Sequence, residues 1–224
     1  MNVSIEPHRV RAVVFDLGGV FFYGGGPEAV LNFGARHGLA PEAWHAIRQE
    51  LFVSGDLWGA VERAEMTLDG FAQELISRVA AHGVSLSLDQ ARGFMDAESA
   101  GVRHEIMAIC ERLRALMPTA LLTNNIREWR ARWRRRVPVE RLFDLVVDSS
   151  EVGVRKPELP IYQLVEQGLG LSGPDLLFVD DLGVNLKAAR SLGWQTVKYD
   201  DTAKVLAVLE QVAQGRPPRQ PPPG

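Results

Sequence analysis

Short unbroken apolar runs alternate along this chain with longer stretches in which apolar residues recur every three or four positions. The first run, Ala12-Val13-Val14-Phe15, ends at Asp16 and a glycine pair, Gly18-Gly19. Runs of this length, rich in β-branched and aromatic residues and stopped by glycine, predict strands buried on both faces. The same reasoning predicts strands over 118–122, 145–147, 176–179 and 196–199. Helical periodicity predicts helices over 105–117, 126–136, 161–168, 185–192 and 202–214. Strands alternating with helices of this length argue an α/β fold, a parallel sheet covered on both faces.

Between the first strand and residue 105 the pattern is different. Tyr23-Gly24-Gly25-Gly26-Pro27 is flexible punctuation. Helices are expected over 28–37, 41–52, 60–65 and 68–82, with a weaker one over 89–100 that contains Gly93. No strand is expected there, so the stretch reads as an all-helical insertion. The C-terminal RPPRQPPPG is proline-rich and is expected to be extended or disordered.

Composition narrows the picture. The chain has 224 residues, 46% of them hydrophobic, enough for a substantial core. A net charge of −3 gives no global attraction to nucleic acid or acidic membranes. The helix from 126 interleaves Trp129 and Trp133 with arginines, but a solvated face with its tryptophans turned to the sheet accounts for it. No apolar run approaches the ~18 residues needed to span a bilayer. The N-terminus lacks the apolar segment of a signal peptide, and the single cysteine, Cys110, suits a reducing compartment, so a cytoplasmic location is expected. Cys110 itself falls on an apolar helix face and is expected in the core. The five histidines share no metal-ligand spacing.

The candidate chemistry lies where the apolar runs stop. Asp16, Thr123-Asn124 and Asp180-Asp181 follow three of the strands, and Lys156 precedes Pro157 between them. Asp16 before a glycine turn is compatible with a simple strand–turn junction. However, a buried strand seldom ends in an acid that is neither paired nor metal-bound. In a parallel sheet these ends share one edge, where open α/β sheets place their sites. Three acids together repel unless a cation sits among them, and an all-oxygen ligand set implies Mg²⁺. Acid, lysine, amide, hydroxyl and metal together suit phosphoryl chemistry, the carboxylate attacking and the others absorbing charge.

Four ordered stretches, Val13-Val14-Phe15-Asp16 with its glycines, Leu121-Leu122-Thr123-Asn124, Gly153-Val154-Arg155-Lys156-Pro157, and Phe178-Val179-Asp180-Asp181 with Asn185, resemble the motifs of the haloacid dehalogenase (HAD) superfamily. Over 122–199 the resemblance is greatest to the phosphatase domain of soluble epoxide hydrolases. It implies a Rossmann-like core of residues 1–22 and 105–215, a helical cap over 23–104 and a tail over 216–224. It implies Asp16 as the nucleophile of an aspartyl-phosphate, and Mg²⁺ held by Asp16, the Gly18 carbonyl and Asp181, with Asp180 behind Asp181 or alternating with it. Thr123 and Asn124 would hold the phosphoryl oxygens and Lys156 would neutralise them. Asn185 would orient the metal-bound acid or a water. The substrate would be a small phosphorylated molecule.

In the cap, Phe52, Gly55, Asp56, Trp58, Glu62 and Arg63 resemble the same branch. Trp58 is a candidate substrate contact, against the commoner fate of an aromatic in packing.

One departure matters. Family phosphatases carry a second aspartate two residues after the nucleophile, as general acid and base, and this chain has Gly18 there. Glycine cannot supply the ~10²–10⁴-fold that such a group contributes. Leaving groups of low pKa are therefore expected to be favoured. Two further readings stay open: metal-independent dehalogenation by the same aspartate, and a phosphate- or protein-binding module without turnover. Neither substrate identity nor oligomeric state can be read from the motifs.

Overall fold

The computed structural model describes residues 5–23, 27–93 and 101–219. Five strands, β1 (Ala12–Phe15), β2 (Thr119–Thr123), β3 (Leu145–Asp148), β4 (Leu176–Asp180) and β5 (Gln195–Lys198), form one sheet in the order β3-β2-β1-β4-β5. Every pairing is parallel. The continuous apolar runs follow from burial on both sides. Val13, Phe15, Leu121, Leu177 and Val179 face one apolar cluster, while Ala12, Val14, Ala120, Leu122 and Phe178 face another.

After β1 the chain leaves the sheet and, among the described residues, forms five helices, α1 (Pro27–Arg36), α2 (Pro41–Gln49), α3 (Leu57–Glu62), α4 (Leu68–Ala80) and α5 (Leu88–Arg92). A π-helical turn, Glu50–Ser54, joins α2 to the loop before α3. These helices share their own apolar cluster around Trp44, Leu51, Trp58, Phe71 and Leu75. Seven more helices follow: α6 (His104–Arg114), α7 (Arg130–Arg134), α8 (Val139–Leu142), α9 (Ser149–Val152), α10 (Leu159–Leu169), α11 (Gly183–Ser191) and α12 (Thr202–Ala213). Residues of α6 and α12 cover the Phe15 face, and residues of α10 and α11 the Val14 face. On that second face Tyr162, Phe178 and Trp194 meet edge to face at 5.6–6.1 Å. Such pairs each add ~0.5–1.5 kcal/mol beyond their burial.

The outgoing and returning crossings run side by side. Phe22 and Val102 form an antiparallel bridge. Tyr23 N–H donates to Gly101 O and Arg103 N–H to Phe21 O. The Arg103 guanidinium lies 4.6 Å from the Tyr23 ring centroid and 4.7 Å from that of Tyr199, and donates to the carbonyls of Gly19, Val20 and Phe22.

Several elements differ from expectation. The helix expected over 60–65 lies at Leu57–Glu62, because Asp56 takes a left-handed conformation (φ 45°) and starts it early. The stretch 126–136 forms a 3₁₀ turn, Arg127–Trp129, and the short α7, with Trp133 in the sheet-facing cluster. Helices α8 and α9 were not expected: each spans a single turn, too short to show a period. Of the weak helix over 89–100, only the start is described, as α5, and 94–100 lie outside the described residues, as do the glycines 24–26. The tail from 216, expected to be extended or disordered, makes hydrogen bonds to the rest of the chain at its start. Arg216 donates to the carbonyls of Pro7, Val10 and Val212, and Arg219 N–H to Ala115 O. Residues 220–224 lie outside the described part. Among the described residues, no helix is long and apolar enough to cross a membrane.

Candidate active site

Register brings the acids together. Phe15 pairs with Val179 across β1 and β4, so the next residues, Asp16 and Asp180, lie side by side. Alternation puts both on the Val14 face, the one covered by α10 and α11. Lys156 enters from the loop before α10, and Asn185 from the first turn of α11. Side-chain parity thus explains why four residues distant in sequence share one pocket.

Lys156 Nζ lies 2.7 Å from Asp16 Oδ1 and 2.8 Å from Asp180 Oδ2, and its side chain is only 1% exposed. Asp180 is wholly buried and satisfied: Asn185 Nδ2 donates to both its oxygens and Leu182 N–H to one. Asp181 turns the other way, over Gly19. A Cβ on Gly19 would lie 2.2 Å from Asp181 Oδ2, so the αL glycine (φ +67°) makes room for that carboxylate. Asp16, Asp180 and Asp181 each place an oxygen within 4.8 Å of the others.

Three carboxylates face one ammonium, leaving two negative charges uncompensated among these four groups. Burial raises the Asp16 pKa, Lys156 opposing and Asp180 and Asp181 adding to the rise. Burial and Asp180 likewise raise that of Asp181. For Lys156, burial pulls the pKa down, but Asp16 and Asp180 outweigh it and the ammonium is held. A divalent cation bound by hard oxygen ligands fits this deficit, and would draw both acids back to the ionised form. The residues present therefore fit Mg²⁺. The Gly18 carbonyl accepts from Val20 N–H at 2.7 Å and keeps a second lone pair.

The remaining predicted residues are placed as follows. Thr123 is buried at the end of β2, its Oγ1 3.3 Å from Asn124 O. The Asn124 side chain is fully engaged: Oδ1 accepts from Lys156 N–H at 2.8 Å, and Nδ2 donates to Lys156 O at 2.9 Å. It holds the lysine loop rather than facing the pocket with a free amide. Asn185 orients Asp180, not Asp181. Trp58 is buried against Phe71 and Trp129, with Nε1 donating to Glu62. Space at Gly18 is open: a Cβ there would meet nothing within 4 Å. Two residues beside the site had no role in the sequence reading. Arg103 clamps the loop after Asp16. Glu62, quoted only as part of the cap pattern, touches both Asn124 and Arg155.

The chain is similar to several known proteins. The haloacid dehalogenase-like hydrolase family matches residues 10–193. Acyl-CoA dehydrogenase family member 10 of Mus musculus is 33% identical over 208 residues, covering 89% of this chain and 19% of its own length. Bifunctional epoxide hydrolase 2 of Rattus norvegicus is 41% identical over 79 residues, covering 35% of this chain and 14% of its own length. The chain thus spans only a small part of either relative. A sesquiterpene phosphatase of Aspergillus oryzae is 23% identical over 90% of this chain and 96% of its own length. Among solved structures, a HAD family enzyme of Bacteroides thetaiotaomicron has a TM-score of 0.69 at 21% identity, covering 88% of this chain and 98% of its own. The same enzyme has been crystallised with magnesium and inorganic phosphate.

Proposed function

The chain belongs to the haloacid dehalogenase-like hydrolases, and from that premise we propose that it is a Mg²⁺-dependent phosphatase of small phosphate esters. The observation that carries this reading is the charge deficit around Asp16, where three acids share one lysine. In this reading Asp16 attacks phosphorus through the oxygen not held by Lys156, giving an aspartyl-phosphate as the alkoxide or phenoxide leaves. A water then attacks the phosphoaspartate and frees inorganic phosphate and Asp16. Asp16, Asp181 and the Gly18 carbonyl would hold Mg²⁺, which supplies positive charge to the transferring phosphoryl oxygens. Lys156 adds to that charge, its Nζ lying between Asp16 and Asp180. Thr123 Oγ1, at the end of the neighbouring strand, would donate to a phosphoryl oxygen. Helices α1–α5 act as a cap whose movement over the sheet edge excludes water. The single buried cysteine suits a reducing cytoplasm.

Gly18 leaves the departing oxygen without a positioned acid, so esters with leaving groups of low pKa are the favoured substrates. The expected result is a kcat/KM for p-nitrophenyl phosphate well above that for an alkyl phosphate, and equal values overturn this preference. Metal-independent dehalogenation is the rival chemistry. The Asp180–Asp181 pair speaks against it, since added negative charge beside a nucleophile hinders metal-free displacement. One experiment tests the reading: a panel of phosphate esters with and without Mg²⁺, beside Asp16→Asn. Hydrolysis that needs both Mg²⁺ and Asp16 supports it. Hydrolysis of a haloacid in chelator supports the rival, and no turnover on any ester leaves a binding module.

A further inference from the structure

Glu62, the last residue of α3, is buried although charged. Its Oε1 accepts from Trp58 Nε1 at 2.9 Å. Its Oε2 lies 2.6 Å from Arg155 Nε and accepts from Asn124 Nδ2 at 3.3 Å. Asn124 and Arg155 support the main chain at Lys156, while Asp16 and Asp180 hold its amine. Asn124 brackets the Lys156 main chain with hydrogen bonds to both its N–H and its C=O. Arg155 is its chain neighbour, with Nη1 3.2 Å from Asp56 Oδ1 and its own N–H donating to Glu158. Glu62 is thus one carboxylate from the cap that touches both supports of the lysine.

A buried carboxylate is costly unless paired, and removing one member of a buried pair strands the other. If the cap lifts, Arg155 loses Glu62 and Asp56 together, and the Asn124 side chain loses one of its three hydrogen bonds. The lysine loop then keeps its hydrogen bonds to Asn124 and the ion pairs of its amine, but on supports that have lost their partners in the cap. Exposed ion pairs of the kind found elsewhere on this surface carry little weight. This one differs because Glu62 is buried and the pair adjoins the site.

We propose that Glu62 is a positioning residue that couples the seating of the cap to the placement of Lys156, so that the amine is set firmly against Asp16 only under a closed cap. The catalytic consequence rests on the phosphatase reading, whereas the coupling itself can be measured without turnover. Amide hydrogen exchange is followed in the full chain for the peptide containing Lys156 and for β1 and β4. In Glu62→Gln, exchange at Lys156 is expected to rise about tenfold, the scale of losing a hydrogen bond to a charged group, while β1 and β4 keep their protection. Arg155→Gln is the second variant and is expected to give the same pattern, and the double variant no more than either single. In parallel, kcat is expected to fall about tenfold with KM changed less, because the misplaced amine matters most where charge develops. Unchanged exchange at Lys156 in both variants overturns the proposal, as does an equal rise throughout the sheet, which marks general loosening. If the wild type hydrolyses no ester, the phosphatase reading falls and the exchange result still decides the coupling.

Discussion

The adjacent glycines at 18 and 19 make a controlled pair, since they differ in what a single methyl group would meet. At Gly19 a Cβ would lie 2.2 Å from Asp181 Oδ2, 2.5 Å from Cγ and 3.0 Å from Oδ1, at a φ of +67°. At Gly18 it would meet nothing within 4 Å, and φ is not left-handed. Gly19→Ala therefore carries two costs. The left-handed conformation costs ~1–2 kcal/mol for an L residue. The carboxylate must also retreat by about 1 Å or more to reach ordinary contact distance. For a chain of this size each kcal/mol lowers Tm by about 2–4 °C, so the conformational cost alone predicts a loss of about 2–8 °C. Displacing Asp181 from Asp16 is expected to weaken Mg²⁺ binding by at least about tenfold, the scale seen when groups that orient a metal ligand are changed. Gly18→Ala is expected to leave both quantities near wild type. Calorimetric titration of Mg²⁺ and thermal melts of the three proteins provide the check. Equal Mg²⁺ affinity in Gly19→Ala and wild type would refute the placement of Asp181 as a ligand, and the same loss in Gly18→Ala would refute the steric argument.

Gly18→Asp enters the same open space and restores a carboxyl beside the departing oxygen, so alkyl ester turnover is expected to rise by up to about 10²-fold with little change for p-nitrophenyl phosphate. Assays on both esters decide it, and no gain on the alkyl ester counts against a missing acid as the limit. Lys156→Met strands Asp16 and Asp180, and breaking a buried pair costs ~3–5 kcal/mol, so Tm is expected to fall by about 6–20 °C. A melt within experimental error of wild type would contradict the buried triad. Cys110 is buried with Sγ 3.5 Å from Leu142 O, and burial raises its thiol pKa. A thiol reagent is therefore expected to leave the native chain unlabelled and to react fully once it is unfolded.

What could be read from the sequence was what is encoded locally. Apolar runs stopped by Asp16, Thr123 and Asp180 marked three strands and the edge they share, since the period of a strand and the rule for open sheets need no distant information. Lys156 could be set among them by its place in the order of the chain, but its role needed the resemblance, because a lysine before a proline has no local mark of burial. The role of Asn124 was only half visible. It follows the end of β2 as expected, yet its side chain is occupied by a loop 32 residues away. The junction at Glu62 was harder still. Arg155 and Asp56 are separated by 99 positions, and opposite charges that far apart carry no pattern in a chain whose charges are spread throughout. Asp56 in a left-handed conformation likewise moved the start of α3, since tertiary partners rather than propensity hold it there.

The bridge between Phe22 and Val102 has a consequence for how such a chain can change. Departure and return points lie side by side and are zipped to each other, so everything strung between them is, topologically, a detour. It can be lengthened, exchanged for a foreign segment or spliced out behind a tight turn without asking β1 or α6 to move. Change along that detour leaves the seam shut, with Arg103 as its rivet, provided the stretch holding Asp56 and Glu62 keeps its grip on the lysine loop.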